Sequence, residues 1–199
     1  MRTVARTLLL FAGGIRLIPH FLVFMFLSGK KKELILKDIE VWMEHGSLRT
    51  SKWWGTLVLL QMRPELRSIY YYRIGRVGGW VCSLLLPGRK NLFIWTKIIG
   101  PGFYIGHGWG TVVNAKKIGS EFSVFQHVTI GSRGGAGAVI GDRVTVAAHA
   151  IVLGDMPIGN NVIIGAGSVV VKEVADDSVI VPAKSFIIKQ RGERVHIPL

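Results

Sequence analysis

Cysteine is almost missing from this chain. Cys82 stands alone among 199 residues, which excludes an intramolecular disulfide framework and any multi-cysteine metal site. Acidic side chains are scarce too, 12 against 25 Lys and Arg, and the formal net charge is +13. Low hydrophobicity is not a feature of the chain: 49% of it is apolar, so it is not a disordered polymer unable to offset its ordering entropy. Glycine is abundant, at 25 residues, yet follows no strict three-residue period, which excludes collagen. No nucleic-acid-binding motif accompanies the positive charge, and the basic segments are too apolar for a solvated groove, so no nucleic-acid partner is expected. The length suits one domain, or a domain with an appendage.

The charge is uneven. Residues 1–100 hold 16 Lys and Arg against 5 Asp and Glu, and five of the six tryptophans: Trp42, Trp53, Trp54, Trp80 and Trp95. Basic charge beside tryptophan and aliphatic runs suits an anionic lipid surface. Residues 7–28, TLLLFAGGIRLIPHFLVFMFLS, have the length of a membrane span, but Arg16 sits mid-run and Pro19 disfavours a straight helix. On a helical wheel Arg2, Arg6, Arg16 and His20 share one arc of about 80° at ~100° per residue. That pattern predicts a helix lying in the membrane interface with a basic stripe toward the headgroups, reinforced by Lys30, Lys31 and Lys32. A helix buried between subunits is the alternative. A cleaved signal is disfavoured, since no small-x-small site follows the apolar run. Residues 1–29 are therefore expected to form a membrane-associating segment, with residues 1–32 as the contact to the membrane surface.

Residues 30–90 read as helical. ELILKDIEVWMEHG at 33–46 has apolar residues three and four apart and ends on Gly46. PELRSIYYYRIGRVGGWVCSLLL starts on Pro64 in a first-turn position and carries an apolar, aromatic face. PGRK at 87–90 marks a break.

A six-residue period follows. Apolar residues recur at Val112, Ile118, Val124 and Ile130, then at Ile140, Val146, Val152, Ile158, Ile164 and Val170. Ile99 and Ile105 share the interval in a frame offset by one. The next residue is usually small: Gly119, Gly131, Gly141, Ala147, Gly159, Gly165. Helices do not repeat every six residues, and Gly-rich sequence with Val and Ile is poor helix material. The period predicts a solenoid of short strands, each side placing one aliphatic side chain in a narrow core. SRGGAGAV, between Ile130 and Ile140, interrupts the spacing and is expected to leave the stack as an exposed loop.

This region resembles the hexapeptide-repeat acyltransferases. Within them it is most similar to the serine-acetyltransferase-like branch, which includes polysaccharide O-acetyltransferases. The resemblance rests on MRPELRSIYYYRIG (62–75), IGHGWGTVVNAKKIG (105–119), FQHVTIG (125–131), VIGDRV (139–144), IGNNVIIGAGSVVVKEV (158–174) and VPAKSFIIK (181–189). It implies a mainly β fold, a left-handed parallel β-helix over residues 91–182 behind an N-terminal α-helical region, with a C-terminal tail at 183–199. It also implies an acetyl-CoA-dependent O-acetyltransferase working without a metal, and a homotrimer.

Acyl transfer to a hydroxyl needs a base for the hydroxyl proton and donors for the oxyanion, and histidine suits the base role near neutral pH. Of six histidines, only His107, His127 and His149 lie in the repeat. His107 is flanked by glycines in Gly106-His107-Gly108-Trp109-Gly110, which exposes its ring. The resemblance makes it the catalytic base. Gly106, Trp109 and His127 are expected on the acceptor side, His127 lying about one coil beyond His107, whereas His149 is expected to be structural. By resemblance Ala148 and Ala166 are small residues that let pantetheine lie along the coils, and Lys184 faces the CoA phosphates. Arg133, in the glycine loop, is a further candidate for an anionic group of the cofactor. Cys82 as an acyl carrier is disfavoured in its apolar run.

Three departures from serine acetyltransferases stand out. Gly106 occupies the place of an Asp that holds the serine amine, Gly137 lies about where a second active-site His is found, and Leu92 replaces the Asp that orients the base. No Asp or Glu lies between Asn91 and Gly106; a backbone carbonyl or Asn91 is the remaining orienter. The expected acceptor is accordingly a sugar hydroxyl of a surface polysaccharide or its lipid-linked precursor, with serine O-acetylation as the alternative. The expected place is the cytoplasm, peripheral at the inner face of a bacterial cell membrane. A carbonic-anhydrase-type metal enzyme is disfavoured, because the repeat histidines lack a close pair.

Overall fold

The computed structural model describes residues 2–183 and 185–198, and the side chains of 14–183 and 185–197. Five helices come first: α1 (Arg2–Met25), α2 (Gly29–His45), α3 (Lys52–Met62), α4 (Pro64–Ile74) and α5 (Arg76–Leu85). Their ends follow local chemistry. Ser51 caps α3, its Oγ accepting the Trp54 N–H at 3.4 Å. The Gly46 N–H returns to Trp42 O at the end of α2, and Pro64 opens α4 where its missing N–H costs nothing. The Pro64 segment is two helices, not one, because Gly75 sits at φ +93°, a conformation that ends a right-handed helix.

α1 continues through Pro19, but its predicted basic stripe is corrected. His20 is 1% exposed. Its Nε2 lies 2.9 Å from Tyr71 Oη, and its backbone carbonyl accepts from Tyr70 Oη at 2.6 Å. The Tyr71 hydroxyl donates to Leu86 O, so the imidazole donates from Nε2. Burial, reinforced by the Arg67 charge, lowers the His20 pKa to about 4, leaving it neutral and turned into the bundle. Arg16 stays exposed; the side chains of Arg2 and Arg6 lie outside the described residues.

The remainder winds into a left-handed parallel β-helix of about five turns. Its three faces are parallel sheets. One holds β1 (Leu92–Ile94), β3 (Thr111–Val113), β6 (Thr129–Gly131), β9 (Ile151–Leu153) and β12 (Val169–Val170). A second holds β4 (Lys117–Ile118), β7 (Val139–Ile140) and β10 (Pro157–Ile158). The third holds β2 (Tyr104–Ile105), β5 (Ser123–Val124), β8 (Thr145–Val146), β11 (Ile163–Ile164) and β13 (Val179–Ile180). Inward residues stack as predicted in columns such as Ile105, Val124, Val146 and Ile164, all fully buried.

The six-residue frame misplaces one residue. Val113, not Val112, is the buried partner of Ile130. The corner between β2 and β3 carries Gly106-His107-Gly108-Trp109-Gly110, two residues more than a regular side, and the following side is one residue shorter. The repeat thus slips where the candidate site lies.

The small residues permit close stacking. A Cβ on Gly100, Gly119, Gly141 or Gly159 would lie 2.5–2.7 Å from the backbone of the next coil. Asp and Asn side chains at the same corner cap the backbone of the preceding coil. Asp142 Oδ1 accepts from Ser120 N at 2.6 Å, Asn160 Oδ1 from Asp142 N at 2.9 Å, and Asp176 Oδ1 from Asn160 N at 2.7 Å. These Ser120 contacts hold the Asp142 pKa below its ordinary value. The glycine loop leaves the stack between β6 and β7, with residues 133–136 exposed and Asp155 accepting the Gly137 N–H.

The helices close the first coil. Arg73 holds Asp38 through Nε and Nη2 at 2.8 and 3.1 Å, and donates to Ile99 O and Gly100 O at 2.6 Å each. Asp38 Oδ1 accepts the Phe103 N–H at 2.8 Å, and Trp42 Nε1 reaches Phe103 O at 3.2 Å. This buried ion pair satisfies backbone groups that would otherwise be left open at the end of the solenoid. At the other end, β14 (Phe186–Gln190) and β15 (Glu193–Pro198) form an antiparallel hairpin.

Candidate active site

The long corner is a compact, strained turn. His107, Gly108 and Gly110 have φ of +65°, +63° and +59°, and Gly108 N donates to Gly106 O at 2.8 Å. A left-handed conformation at a non-glycine residue costs about 1 kcal/mol or more. Here it sets the imidazole on the surface. Gly106 lies beneath Phe125: a Cβ there would sit 2.5 Å from Phe125 Cδ1. Gly108 leaves room for α4, its Cβ position lying 3.3 Å from Glu65 Cγ.

Below the turn runs one column of corner residues. His127 N donates to Trp109 O at 2.6 Å, His149 N to Gln126 O at 3.1 Å, and Gly167 N to Ala148 O at 3.0 Å. Trp109, Gln126, Ala148 and Ala166 therefore succeed one another along the solenoid, beside Gly110, His127, His149 and Gly167. His127 comes directly under the long corner, with its Nδ1 2.7 Å from a Cβ position on Gly110. Its ring stacks on His149 at 4.8 Å and 16°. Ala148 is half-buried and Ala166 exposed in this column. Arg133 is exposed in the glycine loop, outside the column; Lys184 lies outside the described residues. Among the described residues no three His, Cys, Asp or Glu side chains group to hold a metal ion. Cys82 is fully buried, and burial raises its thiol pKa.

The other wall comes from the helices and was not anticipated. Glu65, in the first turn of α4, is 5% exposed. Arg89 pairs with it, both Nε (2.8 Å) and Nη2 donating to Oε1. The Arg89 guanidinium also lies 4.2 Å over the Trp109 ring. A cleft of about 90 Å³ opens beside His107, bounded by Glu65, Arg63, His45, Tyr104 and Trp42. The His45 ring stacks on Tyr104 at 4.0 Å. A larger groove of about 810 Å³ runs between α2 and the coils at Ser120 and Arg143; it does not reach His107. The sequence signals for the helical wall were Pro64, which puts Glu65 in a first turn, and the PGRK break, which folds Arg89 back so that its N–H meets Pro64 O at 3.1 Å.

The chain matches no protein-family model. It is 42% identical over 148 residues to a serine acetyltransferase of Staphylococcus aureus strain Mu50, covering 71% of this chain and 66% of that protein, just under two thirds of its length. Over 81% of its length it superposes on 62% of serine acetyltransferase isoform 3 from Entamoeba histolytica, solved with cysteine, at TM-score 0.57 and 27% identity. The serine acetyltransferase of Neisseria gonorrhoeae, solved with serine, shares the fold at TM-score 0.64 and 23% identity, over 78% of this chain and 68% of that one. The stacked coils, the glycine-flanked imidazole and these relatives place the chain in the hexapeptide-repeat, left-handed β-helix acyltransferases, in their serine-acetyltransferase-like branch.

Proposed function

We propose that the chain is an acetyl-CoA-dependent O-acetyltransferase with His107 as general base. The observation that carries this reading is the exposed imidazole on a strained glycine corner stacked above His127, lining one cleft with the buried Glu65 carboxylate. His107 takes the proton of an acceptor hydroxyl, the oxygen attacks the thioester carbonyl, and the C–S bond breaks to release the CoA thiolate. Along the corner, Ala148 and Ala166 leave space for a pantetheine arm. Arg133 and Lys184 are the proposed contacts to its anionic end, and glycine-loop N–H groups are proposed to hold the oxyanion. His107→Ala is expected to lower kcat/KM by at least about 100-fold in a thiol-release assay while acetyl-CoA still binds. Undiminished turnover would remove the assignment.

The relatives' names put L-serine first among acceptors, ahead of the sugar favoured by the sequence. Gly106 supports the sugar as a second reading. Phe125 fills the space in which a side chain there would stand, so the position that would carry an amine-binding acid is closed. Thiol release with L-serine set against nucleotide- or lipid-linked sugars decides between them. A homotrimer, with the exposed edge of the solenoid shared between neighbours, belongs to the same proposal.

Membrane association is also proposed, on different grounds from the predicted stripe. Among the described residues, no helix is long and apolar enough to cross a membrane. α1 and α5 lie side by side, a Cβ on Gly78 meeting Val23 Cγ1 at 3.3 Å, and both present large apolar side chains outward: Ile15, Met25 and Phe26 on or just after α1, Val77, Trp80 and Leu84 on α5. Arg16, Lys30, Lys31 and Arg76 are exposed nearby, which suits an anionic leaflet. Replacing Trp80 and Leu84 with Ser is expected to reduce co-sedimentation with phosphatidylglycerol vesicles about tenfold. Unchanged binding, or a smaller oligomer in its place, counts against the membrane.

A further inference from the structure

We infer that Glu65, from helix α4, is the positioning residue for His107, supplying from outside the solenoid the carboxylate that the coils themselves lack. This rests on His107 being the base. No acid occurs between Asn91 and Gly106, and among the described residues the His107 side chain makes no hydrogen bond, ion pair or ring contact within the stack. Glu65 is the single acid lining the cleft that His107 borders. It is 5% exposed, in the first turn of a helix whose N-terminal dipole favours an anion.

The geometry of the ion pair is selective. Both Arg89 donors go to Oε1, which leaves Oε2 without a hydrogen bond from Arg89. Arg89 in turn lies over the Trp109 ring, two residues beyond His107. Gly108, between them, approaches Glu65 so closely that its Cβ position is 3.3 Å from Cγ. One unit thus holds the corner at the two residues that follow the imidazole. In the productive arrangement Oε2 accepts one imidazole N–H, which leaves the other ring nitrogen unprotonated and turned to the acceptor hydroxyl. The imidazolium formed on proton transfer is then stabilised by the carboxylate. The other titratable groups bordering the cleft are His45, Arg63 and Tyr104, with Arg89 behind Glu65. None of them supplies a negative charge at neutral pH.

The test is kinetic, on the full chain with acetyl-CoA and its best acceptor. Glu65→Gln is expected to lower kcat about 10–100-fold with the acetyl-CoA KM unchanged. The acid limb of kcat/KM should move to lower pH, because a carboxylate beside an imidazole raises its pKa and the amide does not. Glu65→Asp should recover part of the rate and return the limb toward its original pH. Arg89→Lys keeps the charge but loses the two-donor hold on Oε1, and should leave the limb in place while lowering the rate less than Glu65→Gln does. If Glu65→Gln leaves rate and limb unaltered, or if Arg89→Lys costs as much as Glu65→Gln with neither moving the limb, Glu65 only anchors the corner and the inference fails. Should Glu65→Gln not fold, the Glu65→Asp and Arg89→Lys profiles decide alone. Failure of the base assignment is distinguished by His107→Ala: turnover surviving that change overturns the proposed mechanism, whatever Glu65 does.

Discussion

The solenoid and the helical region solve different problems with different kinds of residue. In the solenoid a residue's neighbours are its counterparts one coil away, so each column repeats one chemistry: aliphatic inside, glycine at the close approach, Asp or Asn as the cap. In the helical region the decisive contacts are singular. Asp38, Arg73, Glu65 and Arg89 each occur once, and each joins segments distant in the chain. Repetition builds a stable frame, and singular contacts decide where on that frame a reactive group is held.

Three substitutions probe this contrast. Arg73→Met leaves Asp38 buried and unpaired against the first coil. It is expected to cost about 3–5 kcal/mol, read by denaturant unfolding, and to release α2 and α4 from the coil together; a loss below about 1 kcal/mol would mean that the clamp is dispensable. Ile130→Ala removes one inward side chain from the middle of a column, for about 2–5 kcal/mol, toward the lower end if the neighbouring coils close the gap. Its hydrogen-exchange signature should be confined to the coils above and below and spare the helices; loosening of the helical region would show that the two parts unfold as one.

The third, and smallest, is pH-dependent. The folded pKa of His20, about 4, is below the unfolded value of 6.5, so the unfolded chain binds the extra proton between those values. Stability from this group is complete above pH 6.5 and is lost as pH falls toward 4, amounting to about 2 kcal/mol by pH 5. His20→Gln should remove that slope from thermal melts taken between pH 7 and 5. An identical slope in the variant would place the acid sensitivity elsewhere.

Much of the solenoid was legible because its period is a local property: Ile118, Val124 and Ile130 point inward for the same reason, six residues apart. The period misled at Val112, since a corner lengthened by two residues shifts the frame and no composition rule counts residues in a turn. The helical wheel misled at His20. An arc of basic residues cannot distinguish a headgroup-facing histidine from one seated against Tyr70 and Tyr71, three helices later in the chain. Of the candidate site, the imidazole and its glycines were visible as a motif. Glu65 was not, because a carboxylate in a first helical turn looks like an ordinary dipole partner until its neighbour across the fold is known.

From residue order alone came the coil, its aliphatic core, the protruding glycine loop and the imidazole on its corner, all consequences of spacing within a few residues. The closing of the first coil by Arg73, the burial of His20 and the seat of Glu65 beside His107 came from the fold. Each depends on helices returning against the solenoid, and a contact between distant segments is set by how whole elements pack, which no short stretch of sequence encodes.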